Sequence, residues 1–226
     1  FIVMWSVTAS VYSYDTRPSE EASATPPEPH QSDLLEGFLI EVHPRQRLSM
    51  DRSVIGRIID TTGSPWHYAI HQKKGLDWYQ KPVAYLYSGY FKAVHEGLHT
   101  FGVFVELGKV PRRSRSIHVS CAVSVCLAGD LKIEHRKQSY RSSRLAKKKH
   151  KMQLAYFVSE LLAPSYHRLS IAVACDGNRR PEILAALRFS IKVKSPANTV
   201  MSDVTPALLV HKREPKASDA ASACGM

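Results

Sequence analysis

The sequence has few cysteines, no long apolar run and no acidic residue in its most basic segment. Its 226 residues include only four cysteines, which are too few and too dispersed for the disulfide framework of a small secreted domain. The longest uninterrupted apolar run is FIVMW, residues 1–5, far below the roughly 18 residues that predict a membrane-spanning helix. We therefore expect a reducing compartment and no transmembrane segment.

The cysteines are predicted to be small apolar core residues. Cys121 and Cys126 are five residues apart, an odd spacing that places them on opposite faces of a strand. This placement disfavours a disulfide or a shared metal site between the two. Cys175 and Cys224 are distant from them in the sequence, and buried thiols of this kind usually pack as small hydrophobic groups.

No motif of a common enzyme class is complete. The chain has no G-x-S-x-G, phosphate-loop lysine or G-x-G-x-x-G motif. The segment HEGLH, from His95 to His99, matches the H-E-x-x-H zinc pattern, but Val105 occupies the position of the third histidine in the longer metzincin pattern. The flanking residues are typical of strands, whereas a zinc site needs a helix to present both imidazoles on one face. We predict a hairpin connection with surface histidines, no cofactor and no enzymatic activity.

Positive charge is concentrated in one fifth of the chain. The formal net charge is +11, and residues 107–151 carry thirteen Lys and Arg against two acids. Residues 136–151, RKQSYRSSRLAKKKHK, include eight basic residues and no acid, which predicts a polyanionic partner. Tyr140 is the one aromatic residue in this run, so contact with phosphates is favoured over base readout. The predicted polyanion-binding residues are Arg112, Arg113, Arg115, Arg136, Lys137, Arg141, Arg144, Lys147, Lys148, Lys149 and Lys151.

The apolar pattern divides the chain into three parts. Residues 1–33 are predicted to form an extended arm and an acidic, proline-bearing linker, and residues 34–195 a core domain with a basic insertion at 128–151. Residues 196–226 are predicted to be a partly disordered tail. Alternating or dense apolar residues predict strands at 34–42, 81–94, 100–107, 116–127, 169–174 and 184–193.

Two segments have helix-like spacing. Ser53 is a candidate N-cap for a helix within residues 53–71. Residues 152–162, MQLAYFVSELL, place apolar side chains at the i, i+3, i+4, i+7 and i+8 positions of an amphipathic helix. The predicted fold class is therefore α+β, a single domain with a mainly antiparallel sheet packed against about two helices.

The order of these elements resembles the matrix proteins of rhabdoviruses. The resemblance is carried by Gly37–Val42, Trp66, Lys81–Leu86, Ser116–Leu127 and Met152–Ala174. It implies a matrix-like α+β fold and a structural protein of the virion, beneath the envelope, which self-assembles and joins viral nucleoprotein–RNA to an anionic membrane surface. The chain departs from the family because its segment Thr25–His30 lacks the tyrosine of the usual budding motif and its basic patch is central.

Three functions follow from these patterns. The first is the viral matrix-type structural role, with the chain itself, nucleoprotein–RNA and anionic membrane as partners and no small-molecule substrate. Its location would be the virion and the host cytoplasm or nucleus, because residues 136–149 resemble a two-part import signal. The second is an RNA-bound structural protein of a ribosome-like particle. The third is a zinc hydrolase based on His95, Glu96 and His99.

Overall fold

Two antiparallel β-sheets packed face to face form the protein. The computed structural model describes residues 33–46, 48–50, 54, 56–61, 66–67, 83–108, 116–143, 153–177, 183–184 and 186–212. Besides a 3-10 turn at Pro206–Leu208, these residues form fourteen strands: β1 Leu34–Glu36, β2 Phe38–Gln46, β3 Ser49–Met50, β4 Gly56–Asp60, β5 Trp66–His67, β6 Val83–Lys92, β7 Gly97–Leu107, β8 Ser116–Leu127, β9 Asp130–Ser143, β10 Gln153–Leu162, β11 Tyr166–Asp176, β12 Leu187–Lys194, β13 Ser202–Asp203 and β14 Leu209–Lys212.

The two sheets differ in size. The larger has nine strands. Six follow the order β1-β14-β6-β11-β8-β9, and β2 pairs with β6, β3 and β4. The smaller has five strands, with the order β10-β7-β12-β13 and β5 beside β12. The paired strands are antiparallel in both sheets. In this order β9 and β10 each end a sheet.

The core lies between the sheets and is built from alternate residues of each strand. Val119, Cys121 and Val123 of β8 are buried, as are Phe189 and Ile191 of β12. This is the period of two that the sequence predicted for these strands. Contact across the sheets is aromatic: the rings of Tyr87 and Phe189 stack with centroids 4.5 Å apart, and Phe91 meets Phe101 edge to face at 4.9 Å.

The predicted α+β class is wrong, because the helix expected at 152–162 is strand β10. Its residues fit both periods, but the burial alternates: Leu154, Tyr156 and Val158 are buried. Ten residues of β10 pair with β7, so backbone pairing and core contact outweigh helix propensity. The strand leaves Phe157 and Leu161 51% and 75% exposed, apolar surface that the helix interpretation had assigned to the core.

The helix predicted within 53–71 is also absent from the described part of that segment. Gly56–Asp60 is strand β4, which pairs with β2, and Trp66–His67 is strand β5, which pairs with β12. Ile59 is half exposed, so the apolar residues of this segment do not form one buried face. The proposed cap Ser53 lies outside the described residues.

The prediction of unbonded core cysteines is wrong for Cys121, Cys126 and Cys175. Cys121 of β8 and Cys175 of β11 lie directly opposite each other, both fully buried, and form a disulfide. Cys126 is also disulfide-bonded, on the opposite face of β8 from Cys121, as its odd spacing predicted. Because the expected reducing compartment rested on unpaired cysteines, that inference loses its basis.

Side chains join the edge strands β9 and β10 into a seam along one side of the sandwich. The Gln138 amide donates to the carbonyl oxygen of Ala155 at 2.9 Å, and the Lys132 amine lies 2.7 Å from the carboxylate of Glu160. Beneath them the hydroxyl of Tyr156 donates to the carbonyl oxygen of Cys121 at 2.9 Å. Burial raises the pKa of Tyr156 to about 12, so this phenol stays protonated and the hydrogen bond persists at neutral pH.

The segment assigned to the C-terminal tail contributes to the larger sheet. Strand β14 pairs with β1 and with β6, and Val204 and Leu209 are buried. No helix in the described part of the chain is long and apolar enough to cross a membrane.

A buried histidine in β14 predicts a pH dependence of stability. His211 is 2% exposed, and burial lowers the pKa of its imidazole, opposed in part by the nearby backbone of Gly37. Since the unfolded state then binds more protons, this stabilisation is present above about pH 6.5 and is lost as pH falls below it. We expect the urea midpoint to fall between about pH 7 and pH 5, and to fall less in His211→Gln. Parallel pH curves for the two proteins would refute this role.

Candidate polyanion-binding strand and adjoining pocket

The basic segment begins as a regular strand of the sheet. Leu127 of β8 pairs with Asp130 of β9, and the two residues between them, Ala128 and Gly129, have φ of 55° and 92°. Two consecutive positive φ values are typical of the tight turn that joins twisted antiparallel strands. Residues 130–143, which the sequence assigned to an insertion, are therefore held in the larger sheet.

Two bulges in β9 precede its exposed cations: its register against β8 shifts by one residue between Cys126 and Val125, and again between Val125 and Val123. Val125 pairs with Ile133, but Val123 pairs with Arg136, so β9 has one extra residue in this interval. His135 has φ 39°, and its backbone N–H donates to the hydroxyl of Ser124 at 2.9 Å. Each one-residue shift moves the later side chains to the other face of a strand, so the two shifts together restore the alternation that begins at the turn.

As a result, two cations lie on the outer face of the larger sheet. Lys137 is opposite Ala122, and Arg141 is opposite His118; Ala122 and His118 alternate with the core residues of β8. We define Lys137 and Arg141, with Ser139 between them, as the outer cationic row. Arg136 is opposite the buried Val123 and so lies on the other side of the strand.

These cations differ from Lys132 in their surroundings. Arg136, Lys137 and Arg141 are exposed, and none forms an ion pair with another residue in the described part of the chain. Lys132 contacts the carboxylates of Glu160 and Asp130, at 2.7 and 3.1 Å, and these hydrogen bonds raise its pKa. Lys132 therefore helps to join β9 to β10, while the other three cations are open to an anionic ligand.

The remaining predicted contact residues lie outside the described residues; they are Arg112, Arg113, Arg115, Arg144, Lys147, Lys148, Lys149 and Lys151. The strand pairing nevertheless relates the two segments that carry them. Ser116, where the chain enters β8, is paired with Ser143, where it leaves β9. Both segments thus attach to one end of the hairpin, a relation that the linear sequence did not reveal.

A pocket of about 290 Å³ opens on the same outer face, beside the bulge. Small residues of β8 and β11 line its floor. Leu48, in the turn before β3, and Met50 of β3 form one wall. The opposite wall is β9. We call this the outer-face pocket; its lining residues are Leu48, Met50, Ala122, Ser124, Leu131, Glu134, His135, Ala172, Val173 and Ala174. The sequence did not predict this pocket, because its shape depends on the position of β3 beside the larger sheet and on the bulge at His135.

The HEGLH segment does not form a hairpin. It connects β6 of the larger sheet to β7 of the smaller one, with His95 exposed and His99 buried. His99 donates its Nδ1–H to the carbonyl oxygen of Gly97 at 3.0 Å, and its ring meets the edge of Phe91. The described residues contain no group of three His, Cys, Asp or Glu side chains that could hold a metal ion.

A buried polar cluster supports β2 on the outer face. The carboxylate of Glu41 accepts from the guanidinium of Arg57 at 2.7 Å and lies 3.7 Å from the imidazole of His43. Burial raises the pKa of Glu41, but the nearby imidazole of His43 and the hydrogen bond from Arg57 outweigh it, so the net pKa is lowered. Glu41 is therefore a buried carboxylate held ionised by Arg57, which links β2 to β4.

No family model and no curated protein matches the chain. Among solved structures, it is similar to an anti-sigma factor domain-containing protein, with a TM-score of 0.50 and 12% identity over 80% of this chain and 49% of that one. The chain thus spans about half the length of that protein. The likeness shows a shared fold and nothing of function.

Two further structures are less similar. A PA14 domain of an antifreeze protein has a TM-score of 0.44 and 10% identity, over 83% of this chain and 97% of that one. An epithelial adhesin A domain from Candida glabrata, solved with beta-lactose, has a TM-score of 0.43 and 10% identity, over 82% and 92%. At this level of similarity no ligand or activity is transferred to the present chain.

Proposed function

We propose that this chain is a non-catalytic attachment module that binds a polyanion through β9 and the basic segments beside it. The observation that carries the proposal is the pairing of Ser116 with Ser143, since it starts both basic segments from the end of the strand that bears Lys137 and Arg141. The cations of β9 after the bulge are exposed, and no acidic residue lies between Arg136 and Lys151.

A polyanion suits this surface better than a single small anion. The cations are spread along a strand that rises about 3.3 Å per residue, so Lys137 and Arg141 are about 13 Å apart along the backbone. One small anion cannot contact both backbone positions closely, whereas a chain of phosphates or sulfates extends over such a distance. Binding of this kind releases counterions and therefore weakens steeply with salt.

The narrower matrix-type role stays a prediction that rests on charge alone. The helices that contributed to the family resemblance are strands, so the order of elements no longer supports it. Joining nucleoprotein–RNA to a membrane would further require binding to anionic vesicles and self-association. The RNA-bound structural role requires only salt-sensitive RNA binding, which makes it the simpler alternative.

The proposal predicts a salt dependence that two substitutions reduce. We expect the full chain to bind a labelled single-stranded RNA, with a log–log salt slope that falls by about 1.4 in Lys137→Ala/Arg141→Ala, because each phosphate that is no longer neutralised reduces the slope by about 0.7. Fluorescence anisotropy across a range of NaCl concentrations measures the slope. Heparin and vesicles with anionic lipid, tested in parallel, identify the polyanion.

The matched control is Lys192→Ala/Lys194→Ala, which removes two cations from β12 in the other sheet. This variant should keep the wild-type slope. If the chain binds none of the three polyanions in low salt, or if both double variants lower the slope equally, β9 is not the binding surface.

A further inference from the structure

The outer-face pocket has room and a shape for one flat group. Its volume is about 290 Å³, and since a water in the liquid occupies about 30 Å³, it can admit a group of about ten non-hydrogen atoms. Ala122 and Ala172 of neighbouring strands form a floor with little side-chain relief, and Met50 and Leu131 stand on opposite sides. A planar ring can therefore lie on the sheet between two apolar side chains.

The polar side chains that line the pocket include one carboxylate and one hydroxyl. Glu134 lines the wall and is exposed, and an ionised carboxylate only accepts hydrogen bonds. The hydroxyl of Ser124 already accepts from the backbone of His135, so its proton is available to a ligand. A negatively charged group would be repelled by Glu134, whereas a neutral ring with N–H groups would be bound.

Immediately outside the outer-face pocket, the cations of β9 favour anionic groups of a ligand. Lys137 is opposite Ala122 of the pocket floor, and Arg141 follows on the same face. The ligand should thus be neutral and donor-bearing where it enters the pocket and anionic a short distance away. A nucleotide unit has this division between base and phosphate. Acidic sugars carry their charge on the ring that would enter, and lipid headgroups carry it at the part that would meet Glu134.

We propose that the outer-face pocket receives one base of a single-stranded RNA whose phosphates lie along the outer cationic row. The inference rests on the proposed polyanion binding and names its ligand class. Guanine is the preferred base, because its Watson–Crick edge presents two adjacent N–H donors that one carboxylate can accept together. The apolar walls supply the surface on which the extruded base packs.

The experiment compares oligouridylates that carry one central guanosine, inosine or uridine. Inosine lacks the second N–H donor of guanine. Fluorescence anisotropy with the full chain should show about tenfold tighter binding of the guanosine oligonucleotide than of the all-uridine one, with inosine between them, since a good bidentate contact discriminates by about this factor.

Two variants test whether the preference for guanosine arises in the outer-face pocket. Ala172→Leu fills the floor, and Glu134→Gln removes one acceptor; each should abolish the preference for guanosine while leaving binding of the all-uridine oligonucleotide within about twofold. Ala155→Leu is the matched control, since it adds the same side chain to β10 of the other sheet. It should keep the preference.

The outcomes separate this inference from the proposed function. Salt-dependent binding of all three oligonucleotides with equal affinity overturns the base pocket and leaves polyanion attachment standing. Binding to heparin or anionic vesicles without binding to RNA has the same consequence. A preference for guanosine that survives Ala172→Leu also overturns it, while failure to bind any polyanion overturns both proposals.

Discussion

Phe189→Ala should lower the free energy of unfolding by about 3–5 kcal/mol. The Phe189 side chain is fully buried and stacks on Tyr87 of the opposite sheet at 4.5 Å. Its removal deletes the apolar contact between the sheets and leaves a cavity that strand pairing prevents from collapsing. Because domains of this size are typically stable by about 5–15 kcal/mol, much of the total would be lost.

Urea unfolding followed by tryptophan fluorescence measures this change, and Phe157→Ala provides the control. Phe157 is 51% exposed on the outer face of β10 and meets only the edge of Phe104 among the described aromatic rings. Its removal should cost about 1 kcal/mol or less. Equal destabilisation in the two variants would mean that the sheets do not meet at Phe189.

Removal of the Cys121–Cys175 disulfide should have the second largest effect. The bond closes a loop with a sequence separation of 54 residues, and the chain-entropy account assigns to such a loop about 4 kcal/mol of stabilisation. The double substitution Cys121→Ala/Cys175→Ala should therefore reduce the urea midpoint strongly. The strands would still pair, because eight residues of β11 remain opposite β8.

Thiol titration of the denatured, unreduced protein tests the same bond directly. Neither Cys121 nor Cys175 should react before a reductant is added. Ser120→Ala, next to Cys121 in β8, controls for substitution in this strand, because its hydroxyl bonds only to Ser139 among the described side chains. If the double variant is as stable as Ser120→Ala, the disulfide does not stabilise the fold.

The strands with clear alternation could be predicted from the sequence. The two predicted helices were wrong, because the described parts of these segments form strands. In β8 and β12 the apolar residues recur with a period of two, so local pattern and global fold agree. In β10 the apolar residues fit both the helical and the strand period, because Leu154 and Val158 are core residues in either structure. Pairing with β7 decides between the helix and the strand. Since β7 is distant in the sequence, the local pattern of β10 does not predict this pairing.

The candidate site was predictable in charge but not in shape. The cationic run from Arg136 is visible in the sequence, and its exposed members lie on β9 as cations at a sheet edge. Which residues of β8 the cations lie opposite depends on two register shifts in β9, one of them at His135, and composition does not encode these shifts. The pairing of Cys121 with Cys175 was missed for the same reason, since it depends on the register of β11 against β8.

The cations of β9 also affect whether copies of this protein could associate through this strand. Among the described strands, β9 ends the larger sheet, and only side chains join it to β10. A sheet edge with unpaired backbone groups recruits further strands into aggregates unless charged side chains oppose the approach. Arg136, Lys137 and Arg141 supply that repulsion between identical edges. Self-assembly by strand addition at β9 is therefore disfavoured until a polyanion neutralises these charges, so a bound polyanion would both occupy the edge and remove its protection.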